Sequence, residues 1–333
     1  DIEPAVGLRL STDVTSGYNK ESLSFALALS AAGMLPVNPT LAYGESNPYL
    51  VTTPVQFRNI NNDPGKYYRQ GTTLDMSTII TEDTDPPFTG ITNFSGTYDG
   101  NGYWISEVMV QGAGLFNSNS GTLRNIRILT GTIDATGINI AGALCGSNTG
   151  TIAACINEAQ VINAVNTAGG ICGANSGSII ACLNTGNVSG GIIEGGICGT
   201  NSRDAEGVIK ACVNTGMLAR NTTVTNMGTI CGTSMASAAN IIRSSYGLVG
   251  SAAAYVGDTE VPVDSPGVGI YNCAILDPPA MKNQITAGEG ETDRVIYKLN
   301  TELAADVNWK SAYQFVSDPV TTGILWPVPV KKP

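Results

Sequence analysis

The sequence contains no histidine in 333 residues. That excludes Ser-His-Asp and Cys-His catalysis and any imidazole metal site, and with them most hydrolase and zinc-enzyme schemes. Aromatic residues are scarce at 6%, so a core has to be assembled from Val, Ile, Leu, Ala and Cys. Basic residues are few as well: 17 Lys and Arg stand against 27 Asp and Glu, a net charge of −10. A surface short of Lys and Arg neutralises few phosphates, which argues against nucleic acid as a partner. No run approaches the roughly 18 uninterrupted apolar residues of a membrane-spanning helix. The chain opens at Asp1 with neither an initiator Met nor a signal peptide, which points to a mature or trimmed product.

Glycine is abundant, with 40 residues, and it recurs with a period. Gly112-Ala-Gly-Leu-Phe-Asn-Ser-Asn-Ser-Gly-Thr-Leu123 is followed by Ala141-Gly-Ala-Leu-Cys-Gly-Ser-Asn-Thr-Gly-Thr-Ile152 and Ala168-Gly-Gly-Ile-Cys-Gly-Ala-Asn-Ser-Gly-Ser-Ile179. A fourth copy, Glu194-Gly-Gly-Ile-Cys-Gly-Thr-Asn-Ser202, resumes at Gly207 after the insertion Arg203 to Glu206, and Met227-Gly-Thr-Ile-Cys-Gly-Thr-Ser234 is a degenerate fifth. Three copies share a second half: Ala154-Cys-Ile-Asn157, Ala181-Cys-Leu-Asn184 and Ala211-Cys-Val-Asn214. Equivalent Leu or Ile residues at 115, 144, 171, 197 and 230 are 29, 27, 26 and 33 residues apart. Short strand-compatible runs punctuated by Gly and Asn at this spacing fit one turn of a β-solenoid, and neither a helical-pair repeat nor a propeller blade.

In such a fold each coil pairs in parallel with the coils above and below, about 4.8 Å away, so equivalent residues form ladders. Ile and Leu stack as an apolar column, and Asn148, Asn175 and Asn201 stack as a hydrogen-bonded column at a turn. One coil alone cannot bury its apolar face, so several must stack and both ends need covering. At 26–29 residues per coil, and with both ends given to caps, seven or eight coils are expected.

The cores Gly170-Ile-Cys-Gly173 and Gly196-Ile-Cys-Gly199 resemble GLUG-type repeats, named for Gly-Leu-hydrophobic-Gly, and the chain resembles Bacteroidetes-type surface proteins that carry them. The segments 49–60, 66–76 and 94–105 resemble the lead-in coils that precede such repeats, most specifically at Asp99-Gly-Asn-Gly102. The resemblance covers residues 49–276 and implies an all-β, right-handed parallel β-helix, extracellular or outer-membrane display and an adhesive role. Outside that span, residues 1–48 are read as an N-terminal cap or the remnant of a preceding β domain, and 277–333 as a C-terminal capping segment. The chain departs from the pattern in carrying Cys where Val or Phe is usual.

Eight cysteines fall at 145, 172, 198 and 231, and at 155, 182, 212 and 273. They occupy positions where the repeat otherwise places an apolar side chain, which favours reduced cysteines acting as small buried hydrophobes. Disulfides within a coil, 145–155, 172–182 and 198–212, are the alternative. Their spacing is not that of a zinc knuckle.

Acidic residues cluster at Asp83 and Asp85, ahead of Pro86-Pro87, and at Asp204 beside Arg203 in the insertion. Glycoside cleavage needs two carboxylates held within roughly 5–9.5 Å. In the regular coils no acid recurs at a matching position, so solvated loop charge is the better reading. No cofactor is expected, and only a weak Ca²⁺ site of carbonyls and loop acids stays open. Toward the C-terminus, Trp309, Tyr313, Phe315 and Trp326 concentrate aromatic surface. They are read as a plug for the open core, with a carbohydrate-stacking platform at Trp309 and Trp326 as the alternative.

Together these observations favour a non-enzymatic surface protein whose partner is an extracellular glycan or a host or bacterial surface protein. Asp83, Asp85, Arg203, Asp204, Trp309 and Trp326 are its candidate contacts, and a lipid anchor upstream of residue 1 fits this placement. A carbohydrate-active β-helix enzyme, either lyase or glycoside hydrolase, is the alternative, and a structural stalk in a larger assembly is the third.

Overall fold

In a computed structural model the chain is described over residues 44–79, 86–202, 207–219, 224–234, 242–248, 254–256, 270–271, 273–276, 295–306, 311–316 and 327–332. It forms a parallel β-solenoid of about six turns. Its walls are a nine-stranded face running from Tyr49–Val51 to Ile270–Tyr271, an eight-stranded face from Leu74–Asp75 to Ala274–Leu276, a four-stranded face from Val108–Val110 to Val188–Ser189, and a face that carries the Cys-Gly-x-Asn strands. The seven or eight coils expected from the period reduce to about six because the earliest strands belong to the first two walls only. The lead-in segments do enter the solenoid: Tyr49, Tyr68 and Tyr98 lie opposite one another in register.

From Tyr67–Gln70 to Ile242–Arg243 the strands of the nine-stranded face are two to four residues long, and each sends a residue inward at the same rung position. Tyr68, Tyr98, Leu123, Ile152, Ile179, Ile209 and Ile242 thus follow one another in one fully buried column. Burying each such side chain contributes about 1.5–3 kcal/mol, which offsets the cost of ordering the coil. Between this face and the next the chain turns through Asn125, Ala154, Ala181, Ala211 and Ser244, all left-handed with φ between 43° and 55°. The bend directs the following residue inward, and at Cys155, Cys182 and Cys212 that residue is a buried cysteine. Alanine at a left-handed position costs about 1 kcal/mol, which the buried partners on either side offset.

The apolar and asparagine ladders read from the repeat are present. Asn119, Asn148, Asn175 and Asn201 are joined Nδ2 to Oδ1 at 2.7, 2.8 and 2.8 Å. Asn157, Asn184 and Asn214 form a second buried ladder, at 2.8 and 2.9 Å, that the repeat alone did not announce. All eight cysteines are buried. Cys145, Cys172, Cys198 and Cys231 stack in register. The second column differs from expectation: the register from Val213 through Tyr246 to Ala274 puts Ser245 between Cys212 and Cys273, and the Cys212 amide donates to Ser245 Oγ at 3.1 Å.

The core is richest in aromatics at its N-terminal end. A short helix, Pro54–Arg58, opens with Thr53 and Gln56 in a reciprocal capping box and sends Phe57 into the solenoid. Phe57 meets Tyr98 and Phe116 edge-on, with ring centroids 5.3 and 5.7 Å apart. Tyr313 and Phe315, expected to plug the core, lie on its flank. A helix, Val295–Ala305, and an antiparallel pair, Tyr313–Val316 with Val328–Lys331, cover Ile156, Ile180, Leu183, Val213 and Tyr246 on the outside of the wall. Val295, Leu299 and Leu303 repeat every four residues, so one face of the helix buries apolar surface. Its carboxylates secure the edge: Asp306 meets Lys210 at 3.5 Å and Glu302 meets Arg243 at 3.3 Å.

Candidate functional site

The six residues singled out in the sequence, Asp83, Asp85, Arg203, Asp204, Trp309 and Trp326, lie outside the described residues. The frame around the insertion is described. In the preceding coil Asn175 Nδ2 donates to the carbonyl two residues on, Gly177 O, at 3.1 Å. Asn201 Nδ2 makes the equivalent bond to Gly207 O at 2.8 Å, six residues on. Asn201 and Gly207 are therefore joined as Asn175 and Gly177 are in the preceding coil.

The most concentrated polar surface lies elsewhere, on the nine-stranded face near its N-terminal end. Register sets Tyr67, Thr97 and Thr122 in one outward column and Arg69, Asp99 and Arg124 in the next. Opposite charges on adjacent rungs, about 4.8 Å apart, attract. Arg124 Nε donates to Asp99 Oδ2 at 3.1 Å, and its terminal nitrogen meets Glu45 Oε1 at 2.5 Å and Tyr67 Oη. Tyr67 Oη donates to Glu45 Oε1 at 3.4 Å. Asn125 Nδ2 and the Asn101 amide both donate to Asp99 Oδ1, at 2.7 and 2.9 Å. The Arg69 and Arg124 guanidinium carbons stand 5.8 and 5.7 Å from the centre of the Tyr67 ring, at cation–π distance.

Beside this cluster opens a cleft of about 380 Å³ lined by Lys66, Tyr67, Ser95, Thr97 and Thr122 over a floor of Gly65, Gly96 and Gly121. The floor is glycine because the coils approach closely there. A Cβ on Gly121 would stand 2.0 Å from Gly96 O, and one on Gly96 2.0 Å from Lys66 O. The coils themselves thus produce a narrow trough edged by hydroxyls and ending at a charged cluster.

The electrostatics define what this trough can do. The Arg124 hydrogen bond and charge hold Glu45 below the usual carboxylate range. Burial raises the Tyr67 phenol above its ordinary value. Burial opposes the charge on Arg124, but its bond to Glu45 and the charge of Asp99 outweigh it and keep the guanidinium ionised. A general acid for glycoside cleavage needs a carboxyl with a raised pKa beside an ionised partner. Glu45 is shifted the other way, and Asp99 accepts bonds from Arg124, Asn125 and Asn101. The arrangement therefore suits hydrogen-bonding recognition. Carboxyls raised by burial are Glu158 and Glu194; neither belongs to this cluster, and Glu194 is fully buried in the core. Among the described residues no group of three or more Cys, Asp or Glu is placed to hold a metal ion.

Sequence reading missed Glu45, Tyr67, Asp99 and Arg124. Spacings of 30 and 25 residues between 69, 99 and 124 carry the signal, but the lead-in coils are too divergent to align by motif. Only the strand register reveals the column.

Neither a protein-family model nor a curated protein sequence matches the chain. Among the solved structures that resemble it are two named for immunoglobulin A1 proteases. One is a Bacteroides ovatus protein provisionally named an immunoglobulin A1 protease. Its TM-score is 0.54 at 20% identity, and the match covers 86% of this chain and 93% of that one. The other is named IgA1 Protease; its TM-score is 0.43 at 16% identity, and the match covers 68% of this chain and 22% of that one. At these identities the first likeness supports the shared β-solenoid fold and no more.

Proposed function

We propose that the chain is a non-enzymatic interaction module of a cell-surface protein, of the GLUG-repeat type, that presents a rigid solenoid to an extracellular glycan or surface protein. The observation that carries this reading is the trough at Tyr67, Thr97 and Thr122. It combines hydroxyls, an aromatic edge and an Arg124 centre whose neighbouring carboxylates are committed to hydrogen bonds. Such a surface orients a polyhydroxylated ligand through its hydroxyls and the Arg124 centre. Display outside the cell and a lipid anchor upstream belong to the same reading.

Electrophoresis through gels containing acidic or neutral polysaccharides tests it. Wild type is retarded in at least one gel, and Thr97→Trp, which fills the trough, migrates as in a plain gel. Equal retardation of Thr97→Trp and wild type would remove the trough from the account.

A second reading, peptide hydrolysis, is favoured only by the name of the Bacteroides ovatus protein. The chain has no histidine, so a His-dependent hydrolytic centre would have to come from residues outside this sequence. Incubation with immunoglobulin A1 distinguishes the two readings: an intact heavy chain is expected, and a discrete fragment would favour the protease.

A further inference from the structure

The cysteine column adds a chemistry that interaction does not use. Cys145 and Cys172 lie directly opposite one another on adjacent parallel strands, and their Sγ atoms are 3.7 Å apart. Parallel neighbours stand about 4.8 Å apart, inside the Cα window of about 4.4–6.8 Å in which a disulfide closes without backbone movement.

We propose that Cys145 and Cys172 form a redox-modification site, at which a small-molecule disulfide of the glutathione type converts two stacked thiols into a covalent bridge between consecutive coils. The thiolate of one cysteine attacks the donor disulfide, forming a mixed disulfide and releasing one thiolate. The other cysteine then attacks the protein sulfur of that mixed disulfide, forms the Cys145–Cys172 bond and expels the second half of the donor. The two protein S–H protons end on the two released small thiols. The protein dithiol is oxidised and the donor reduced, with no further reagent.

The burial that surrounds the pair sets when this happens. Both side chains are fully buried, and burial pushes the Cys172 thiol well above its ordinary value. Attack requires the thiolate, so exchange is slow once the coils have closed and fast while they are still stacking. A bridge formed in that window is then shielded from reductants by the same core. Cys198 and Cys231 continue the column in register, so Cys198 can compete with Cys145 for Cys172 unless it pairs with Cys231. The bridge requires only an oxidising disulfide, so it stands or falls independently of what the solenoid binds.

The test uses the full chain, denatured and reduced, then refolded either with oxidised and reduced glutathione or with excess dithiothreitol. The folded fraction of each is isolated by size exclusion, its thiols are counted in denaturant and its peptides are mapped without reduction. Dithiothreitol material is expected to show all eight thiols. Glutathione material is expected to lose at least two and to yield the linked Cys145–Cys172 peptide. Eight thiols in both samples would overturn the proposal, as would bridges that omit this pair or glutathione retained on either residue. In Cys172→Ala, Cys145 is expected to stay unlinked under both conditions, and a new partner for Cys145 would contradict the geometric argument. If that variant fails to fold, the wild-type map decides alone.

Discussion

Asn148 Nδ2 donates to Asn175 Oδ1 at 2.8 Å, and Asn175 Nδ2 repeats the bond to Asn201 Oδ1 at the same distance. Each amide therefore satisfies the rung above and relies on the rung below, inside a wall that excludes water. Asn175→Ala leaves a donor on one side and an acceptor on the other without their partner. The expected loss is about 2–3 kcal/mol, read from the urea midpoint. Asn166→Ala removes an exposed amide bonded to Asn139 at 3.2 Å, and water replaces it at a cost within about 0.5 kcal/mol. Equal losses in the two variants would show that the buried ladder is not special.

Two glycines separate steric from conformational demand. A Cβ on Gly150 would stand 2.1 Å from Gly121 O, a backbone atom that cannot yield without parting the coils. Gly150→Ala is expected to cost more than about 3 kcal/mol, at the level of an overpacked core. Gly137 has φ +78° with nothing within 4 Å of a built Cβ. Gly137→Ala therefore meets only backbone strain, about 1–2 kcal/mol by thermal or chemical denaturation.

Glu194 occupies a core column whose other members are Ala141, Ala168 and Met227. One carboxyl oxygen accepts from the Gly190 amide at 2.8 Å and the other has no partner. Burial raises its pKa to about 7. For an acid with a raised folded-state pKa, stability is full below the unfolded value and declines as pH rises through the folded one. Wild type should therefore lose stability between about pH 4.5 and 7 and level off above, by up to about 3 kcal/mol. Glu194→Gln should flatten this profile and exceed wild type at pH 8. A parallel profile in the variant would assign the pH dependence to other groups.

Glu302 fastens the C-terminal helix to the flank, 3.3 Å from Arg243 and accepting from Ser244 Oγ at 3.1 Å. Glu302→Ala removes the carboxylate beside the partly buried Arg243 guanidinium and the acceptor of Ser244, and is expected to cost about 2 kcal/mol. If the helix is a separate cover, protease cuts around residues 295–306 should accelerate before the coils melt. Simultaneous loss of helix and coils would instead mean that the flank and the solenoid form one cooperative unit.

The fold was legible because repetition writes it many times over. The Cys-Gly-x-Asn and Ala-Cys-x-Asn segments state strand, turn and ladder in successive coils, and each copy corroborates the last. The trough was harder to read. Thr97 and Thr122 share a Ser-Gly-Thr context, but Tyr67 follows Gly65-Lys66 in a divergent coil, and only hydrogen-bond register aligns all three. Tyr313 and Phe315 were read as a core plug but pack on the flank, because a count of aromatics near the C-terminus says nothing of which wall they meet. Phe57, from a five-residue helix in a divergent segment, occupies the core instead.

The most direct test of the central claim, recognition without cleavage, is to size the ligand after binding. Protein and a retarding polysaccharide are incubated to equilibrium and then for a much longer period, with and without Ca²⁺, and the recovered polymer is sized. The account predicts an unchanged length distribution, with retardation lost in Thr97→Trp. Progressive shortening that depends on the protein would contradict it and make the solenoid an enzyme.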